Sequence, residues 1–259
     1  MKLFRPDTIK EAVELLSIHP KAEIVAGGQI VVNQIRQGLY FPEALLDTTS
    51  LLELQSVTES DTHIWIGAGV THSRIASDPI IDRCLPALKQ AAEQIGDVQI
   101  RNRATMGGSL AYADTIKGDY WGLLYALKAV IHIRSSNGSR LVPIDEWIKG
   151  LHQTALNKGE LIEAVELPKC VNSEYRKIQL AYPETIGMTR VLGEFEAFVA
   201  VSGLMDRPFF MTDALDGMDD FSLQLKGHTF DYVCRPVSTQ IEYAWHRIRI
   251  EYRRMVEGE

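Results

Sequence analysis

The residues best suited to chemistry surround two glycine pairs. The first lies in Ile24-Val25-Ala26-Gly27-Gly28-Gln29-Ile30-Val31. A strand-like run ending in two glycines exposes consecutive backbone N–H groups, with no Cβ to hold a bulky anion off the main chain. Such nests of N–H groups bind phosphate. A plain strand-to-helix turn would use the same two glycines. The second pair lies in Gln99-Ile100-Arg101-Asn102-Arg103-Ala104-Thr105-Met106-Gly107-Gly108-Ser109-Leu110. Here Thr105 and Ser109 bring hydroxyls that can donate to phosphate oxygens. Two such loops, about 80 residues apart, can clamp a pyrophosphate from both sides. Arg101 and Arg103 read as solvated surface or as contacts to a partner chain, because a phosphate held by backbone amides needs no arginine.

Other chemistries lack their residues. No GxGxxG follows a strand and no GxxxxGK[ST] occurs, which removes the Rossmann and P-loop readings. No GxSxG nucleophile elbow and no HExxH are present. His63, His72, His132, His152, His228 and His246 are scattered, which reads as surface or packed imidazoles rather than metal ligands. Cys84, Cys170 and Cys234 lie far apart without a CxxC, so neither a disulfide framework nor a cysteine-held zinc or iron–sulfur site is expected.

The loops need elements to hold them. Hydrophobic residues make up 46% of the 259-residue chain and charged ones 24%, a globular balance long enough for one large or two modest domains. A net charge of −7 argues against a nucleic-acid binder. The longest apolar stretches, such as Ala26–Val32 interrupted by Gln29, fall far short of the ~18 residues of a membrane span. The start carries no signal-peptide core, so a reducing, cytoplasmic setting is expected.

Asp7 or Thr8 can cap a helix over Lys10–Ser17, which His19-Pro20 stops. Glu23–Ala26, Ala44–Asp47 and His63–Gly67 read as strands or short apolar stretches. Thr71 caps a short helix, and Leu85, Leu88, Ala91, Ala92 and Ile95 form the stripe of a longer one. Asp119 opens a third. Ala129–Arg134, Arg140–Pro143 and Leu161–Leu167 read as strands, the first two joined by a Ser136-Asn137-Gly138 turn. After Pro168 the pattern changes: strands near Tyr175–Leu180 and Phe195–Leu204, an acidic stretch over 205–222, and a helix over Thr239–Val256. A domain boundary is expected near 168–174.

Phe4-Arg5-Pro6, Ala26-Gly27-Gly28-Gln29, Leu46-Asp47 and Ile66-Gly67-Ala68, in that order, resemble the flavin subunit of molybdenum hydroxylases. The Gln99–Leu110 run is similar to that family's most diagnostic segment, written QIRN(R)xTxGGxLA. Asp119-Tyr120 with Leu123–Leu127, then Thr154-Ala155-Leu156, Glu160-Leu161-Ile162 and Leu167-Pro168, fit its next blocks. Carbon monoxide dehydrogenase medium subunits and xanthine dehydrogenase FAD-binding subunits are members. The resemblance covers residues 1–170. It departs at Ile30-Val31, where Ser-Leu or Asp-Leu is usual, at Tyr112-Ala113-Asp114-Thr115, and through 181–235.

The resemblance implies an α+β fold: a two-lobed PCMH-type FAD-binding domain over 1–170, then a smaller, divergent α+β domain over 171–259. It implies non-covalent FAD, its pyrophosphate on the backbone of Ile24, Val25, Ala26, Gly27, Gly28, Gln29, Ile30 and Val31. Thr105, Met106, Gly107, Gly108 and Ser109 would form the second wall. Asp119 would reach ribose or adenosine-side hydroxyls, a helix N-cap being its alternative role. Leu161 would pack near the flavin ring, and Lys177 would stand close to it, unless it is simply an exposed lysine on a strand. As an oxidoreductase subunit in a heterotrimer, the chain would take electrons from a [2Fe–2S] small subunit, which receives them from a molybdopterin-bearing large subunit. It would pass them to NAD, a quinone or oxygen. A stand-alone FAD oxidoreductase and a non-enzymatic scaffold that lost the flavin are the alternatives.

Overall fold

The computed structural model describes residues 1–117, 119–180, 185–192, 197–203, 208–212 and 238–256. The first lobe is built from β1 (Lys2–Phe4), α1 (Ile9–Ile18), β2 (Ala22–Val25), α2 (Val31–Arg36) and β3 (Ala44–Asp47). Its strands run parallel in the order β1-β3-β2. Thr8 starts α1 by accepting from the Glu11 N–H at 3.1 Å, and the Glu11 carboxylate accepts from the Asp7 N–H at 2.8 Å. This reciprocal cap fixes which face turns inward. Ile9, Ala12, Val13 and Leu16 then pack on Leu46, Leu51, Leu54 and Leu161. Gly27-Gly28 follows the carboxyl end of β2, the end at which parallel sheets bind ligands.

The second lobe starts with β4 (Val57–Glu59), β5 (His63–Gly67), α3 (His72–Ser77), α4 (Pro79–Cys84), α5 (Pro86–Glu93), α6 (Val98–Arg101), α7 (Met106–Tyr112) and α8 (Trp121–Ala126). It continues through β6 (Val130–Ser135), β7 (Gly138–Pro143), α9 (Ile144–Trp147), β8 (Ile148–Gly150), β9 (Gln153–Thr154) and β10 (Glu160–Pro168). The five-stranded sheet has the order β4-β5-β10-β6-β7, so the last strand in sequence occupies the centre. One face is buried beneath the helices. The other carries cross-strand polar contacts, a His132–Glu166 hydrogen bond at 2.7 Å and an Arg134–Glu163 ion pair at 3.0 Å. A register shift interrupts β10 between Ile162 and Ala164. Its neighbouring residues Leu161 and Ile162 are both buried, Leu161 in the first lobe's core and Ile162 in the second's. That strand end therefore joins the two lobes.

The helix read over Leu85–Ile95 is shorter, Pro86–Glu93, and Gly96 (φ +47°) turns the chain beyond it. Asp119 does not open a helix. Helix α8 begins at Trp121, with Tyr120 at its N-cap and no side-chain cap.

The last part holds β11 (Ser173–Gln179), β12 (Thr185–Leu192), β13 (Ala197–Ser202), β14 (Phe209–Thr212) and α10 (Ser238–Val256). The four strands form an antiparallel meander in chain order. Ile178, Ile186, Met188, Val199 and Val201 pack against Ile248 and Met255 of α10. The sheet also docks on the second lobe, where the Tyr175 N–H donates to Gln90 Oε1 at 2.7 Å. Asp206, Asp213, Asp216, Asp219 and Asp220 of the acidic stretch lie outside the described residues, as do both ends of the strand read over Phe195–Leu204.

Candidate functional site

A cavity of about 1380 Å³ opens between the lobes and the third sheet. Residues 24–31, the start of α7, Asp119-Tyr120, Leu161-Ile162 and Lys177 line it. The structure thus brings the two glycine loops, 80 residues apart in sequence, to one cleft.

The loops differ in what they offer. Among the described residues, the backbone N–H groups from Ala26 to Val31 meet no acceptor. Gly28, at φ +71°, bends the chain so that this run faces the cavity. The loop is held from behind. A Cβ on Gly27 would lie 1.9 Å from the Arg103 carbonyl oxygen, so the two segments meet backbone to backbone.

The second wall is no nest of free amides. The Met106 N–H donates to Val70 O at 2.9 Å and the Gly107 N–H to Ala68 O at 2.8 Å. The Gly108 N–H donates to Thr105 Oγ1 at 3.1 Å, and the Ser109 N–H to Thr105 O at 3.0 Å. What remains for a ligand is the hydroxyls of Thr105 and Ser109. Gly107 is glycine for packing, since its Cβ would meet that of Ala68 at 2.6 Å. Gly108 is helical and exposed, and a Cβ there would meet only Thr105 Oγ1, at 3.1 Å.

Arg103 is exposed, as read from the sequence, and Arg101 is half-buried, but both also make contacts within the chain. The Arg101 guanidinium donates to the Ile95 and Gly96 carbonyls, both at 3.0 Å. Arg103 donates to the Gly27 carbonyl at 3.3 Å. Both tie loops together inside this chain, because carbonyls left bare at a turn need donors.

Asp119 and Lys177 are placed against each other, with Nζ to Oδ1 at 2.7 Å, and Lys177 also donates to Gln94 O at 3.1 Å. Burial pushes the Asp119 carboxyl up from its ordinary value, and the Lys177 charge opposes that shift. The pair links the second lobe to β11. Lys177 is accordingly not an exposed strand lysine.

Behind the second wall, His72 is buried with both ring nitrogens engaged. Nε2 lies 3.1 Å from Ser109 Oγ, and Nδ1 lies 2.8 Å from the Tyr120 hydroxyl. Burial lowers its pKa to about 4, so the ring is neutral near pH 7.

The model of the family described as the FAD binding domain in molybdopterin dehydrogenase matches residues 1–170. The chain belongs to that family. Its FAD-binding region is 34% identical to the glyceraldehyde dehydrogenase medium chain of Sulfolobus acidocaldarius over 164 residues, 63% of this chain and 58% of that one. It is 32% identical to the carbon monoxide dehydrogenase medium chain of Hydrogenophaga pseudoflava, covering 63% of this chain and 57% of the relative. These matches thus span under two thirds of the relatives' own lengths. Among solved structures, quinoline 2-oxidoreductase from Pseudomonas putida 86 aligns at TM-score 0.74 and 28% identity, covering 81% of this chain and 76% of that one. A Cu,Mo-CO dehydrogenase chain aligns at TM-score 0.81 over 99% of this chain and 96% of its own length. At 23% identity that likeness shows shared fold, and it extends past residue 170 into the C-terminal part.

Within this FAD-binding fold, sequence reasoning left His72 and Tyr120 without a role. The available signal was position. His72 directly follows the Thr71 cap, and Tyr120 directly follows Asp119. Nothing local showed that α3, α7 and α8 begin at one point. His72 also yields a prediction about stability. Its folded pKa, about 4, lies below the ordinary 6.5. The unfolded chain therefore binds more protons between those values, and stability falls as pH drops from 6.5 to 4. The loss from this group amounts to about 3 kcal/mol at ~1.4 kcal/mol per unit. Urea midpoints across that range should fall less steeply in His72→Gln than in wild type. Equal slopes would assign the acid sensitivity elsewhere.

Proposed function

We propose that the chain binds FAD non-covalently in the cavity between its lobes. It would serve as the electron-transfer medium subunit of a multi-subunit molybdenum-containing hydroxylase. The observation carrying this reading is the free run of N–H groups over 26–31, set in the same cleft as the Thr105 and Ser109 hydroxyls. This donor set suits a diphosphate: amides on one side, hydroxyls on the other, and a wall where Gly108 admits close approach. Leu161 and Ile162 give the cavity an apolar face for a flat ring. Asp119 keeps Oδ2 for a ligand hydroxyl while Oδ1 holds Lys177. Lys177 thereby brings a cation to the cavity wall from β11.

Bound FAD supplies redox chemistry, accepting and releasing electrons one or two at a time. Partners in this reading are a [2Fe–2S] small subunit and a molybdopterin-bearing large subunit, with NAD, a quinone or oxygen as acceptor. Support comes from the relatives, named as medium chains of glyceraldehyde and carbon monoxide dehydrogenases. The domain division near 168–174 belongs to the same proposal. The FAD-binding part would end with β10, and the meander with α10 would form the second domain.

Gly108→Val tests the pyrophosphate wall. Gly108 is helical rather than left-handed, so the substitution acts through blocked approach and not through backbone strain. FAD affinity should fall at least about tenfold, or ~1.4 kcal/mol, with the unfolding midpoint nearly unchanged. Wild-type affinity in a folded variant would make Gly108 a turn residue only.

A further inference from the structure

The Ser109 hydroxyl can meet a ligand in two opposite ways. If it donates to His72, it turns its lone pairs to the cavity and repels an anion. If it accepts from His72, its own proton is free for the ligand. We propose that Tyr120 and His72 set the second arrangement, acting as positioning residues that make Ser109 a hydrogen-bond donor toward an anionic ligand group. That group is the FAD pyrophosphate in the reading above, on which this proposal rests for the ligand but not for the proton arrangement.

The order of protons follows from counting partners. Tyr120 is buried, and its hydroxyl meets His72 Nδ1 at 2.8 Å with no second partner among the described residues. Burial and the nearby Asp119 carboxylate push its pKa well above 10, so the phenol keeps its proton. Were Tyr120 to accept from Nδ1–H, its own O–H would be buried without an acceptor, which native structures avoid. Tyr120 therefore donates to Nδ1. A neutral imidazole carries one proton, which is then left on Nε2. Nε2–H donates across 3.1 Å to Ser109 Oγ. The Ser109 proton finds no acceptor among the described residues, and Ser109 lines the cavity. Because every N–H from Met106 to Ser109 is already engaged, the orientation of this hydroxyl decides whether that stretch attracts or repels an anion.

Three helix starts build the chain of contacts. His72 is the first residue of α3, Ser109 lies in the first turn of α7, and Tyr120 immediately precedes α8. The His72 N–H donates to the Ala104 carbonyl at 3.0 Å, fixing α3 against the segment that leads to Ser109.

The test uses the full chain with ¹⁵N-labelled histidine, and His72→Gln identifies the His72 signals. The proposal expects the flavin-free protein to show Nε2 protonated and Nδ1 as acceptor, with Tyr120→Phe giving a mixture of tautomers. A His72 protonated on Nδ1 overturns the proposal whether or not FAD binds. Should the wild-type chain show the expected tautomer yet fail to bind FAD, the FAD reading falls and the proton arrangement stands. The second arm is a cycle of FAD titrations. Ser109→Ala should weaken binding roughly tenfold, the effect of one hydrogen bond to a charged acceptor, and Tyr120→Phe by a comparable factor. Tyr120→Phe made on the Ser109→Ala background should cost nothing more, because Tyr120 acts through Ser109. Additive losses in the double variant would give Tyr120 a separate structural effect and overturn the assignment.

Discussion

Gly27→Ala should abolish tight FAD binding and destabilise the fold, although it adds a single methyl group. The new Cβ would sit 1.9 Å from the Arg103 oxygen, 2.6 Å from its carbonyl carbon and 2.9 Å from Ala104 Cα. All three are backbone atoms, so no rotamer change relieves the overlap, and the two loops must separate. Overpacking of this kind costs about 1–3 kcal/mol, occasionally more, and a clash with main chain belongs at the upper end. Separation also displaces the N–H groups of 26–31, so FAD affinity should drop by more than about a hundredfold. Gly108→Ala is the matched control for stability. Its Cβ meets only Thr105 Oγ1 at 3.1 Å, and alanine is favoured over glycine in a helix by up to ~1 kcal/mol. Denaturation curves of both variants and an FAD titration of Gly27→Ala decide it. A Gly27→Ala protein with wild-type stability and affinity would show that the two loops are not locked together.

Asp119→Ala carries the second large effect, on two readouts. It strands the Lys177 ammonium, leaving it only the Gln94 carbonyl among the described residues. Breaking a fully buried pair costs about 3–5 kcal/mol. Here 15% of the Lys177 side chain and 23% of the Asp119 side chain remain exposed, which brings the expected loss down to about 2 kcal/mol. The variant also removes the acceptor offered to a ligand hydroxyl. A hydrogen bond to a charged acceptor contributes about 1.5–3 kcal/mol, so FAD affinity should fall roughly ten- to a hundredfold. Titration with FMN, which lacks the adenosine, separates the roles. Wild type should prefer FAD strongly, and the variant should lose much of that preference. Unchanged affinity together with a shifted flavin potential would place Asp119 beside the ring instead.

The elements whose cause is local were legible in the sequence. Thr8 caps α1 and Thr71 caps α3 as their residue types suggest, and the alternation in His63–Gly67 marks β5. Both glycine loops were visible as motifs, and the structure brings them to one cavity. What escaped depends on contacts between distant residues. Leu161–Leu167 reads as a strand, but its central place between β5 and β6 comes from pairing with segments near 65 and 132. Arg103 reads as a surface charge and is exposed, but the Gly27 carbonyl to which it donates lies 76 residues away in sequence. The pairing of Asp119 with Lys177 joins residues 58 apart through a sheet whose docking no local pattern announces. The amide of Gly107 looks free in sequence, and a tertiary contact to the Ala68 carbonyl engages it, whereas the amide of Gly108 is taken by the local Thr105 cap.

The most direct measurement titrates the purified, flavin-free full chain with FAD, following the visible spectrum, and then precipitates the complex with acid. The account predicts saturable uptake of FAD in preference to FMN, a flavin spectrum in the bound state, and complete release of the flavin into the acid supernatant. A chain that stays colourless with FAD in excess would contradict binding itself, and a yellow pellet would contradict the non-covalent attachment.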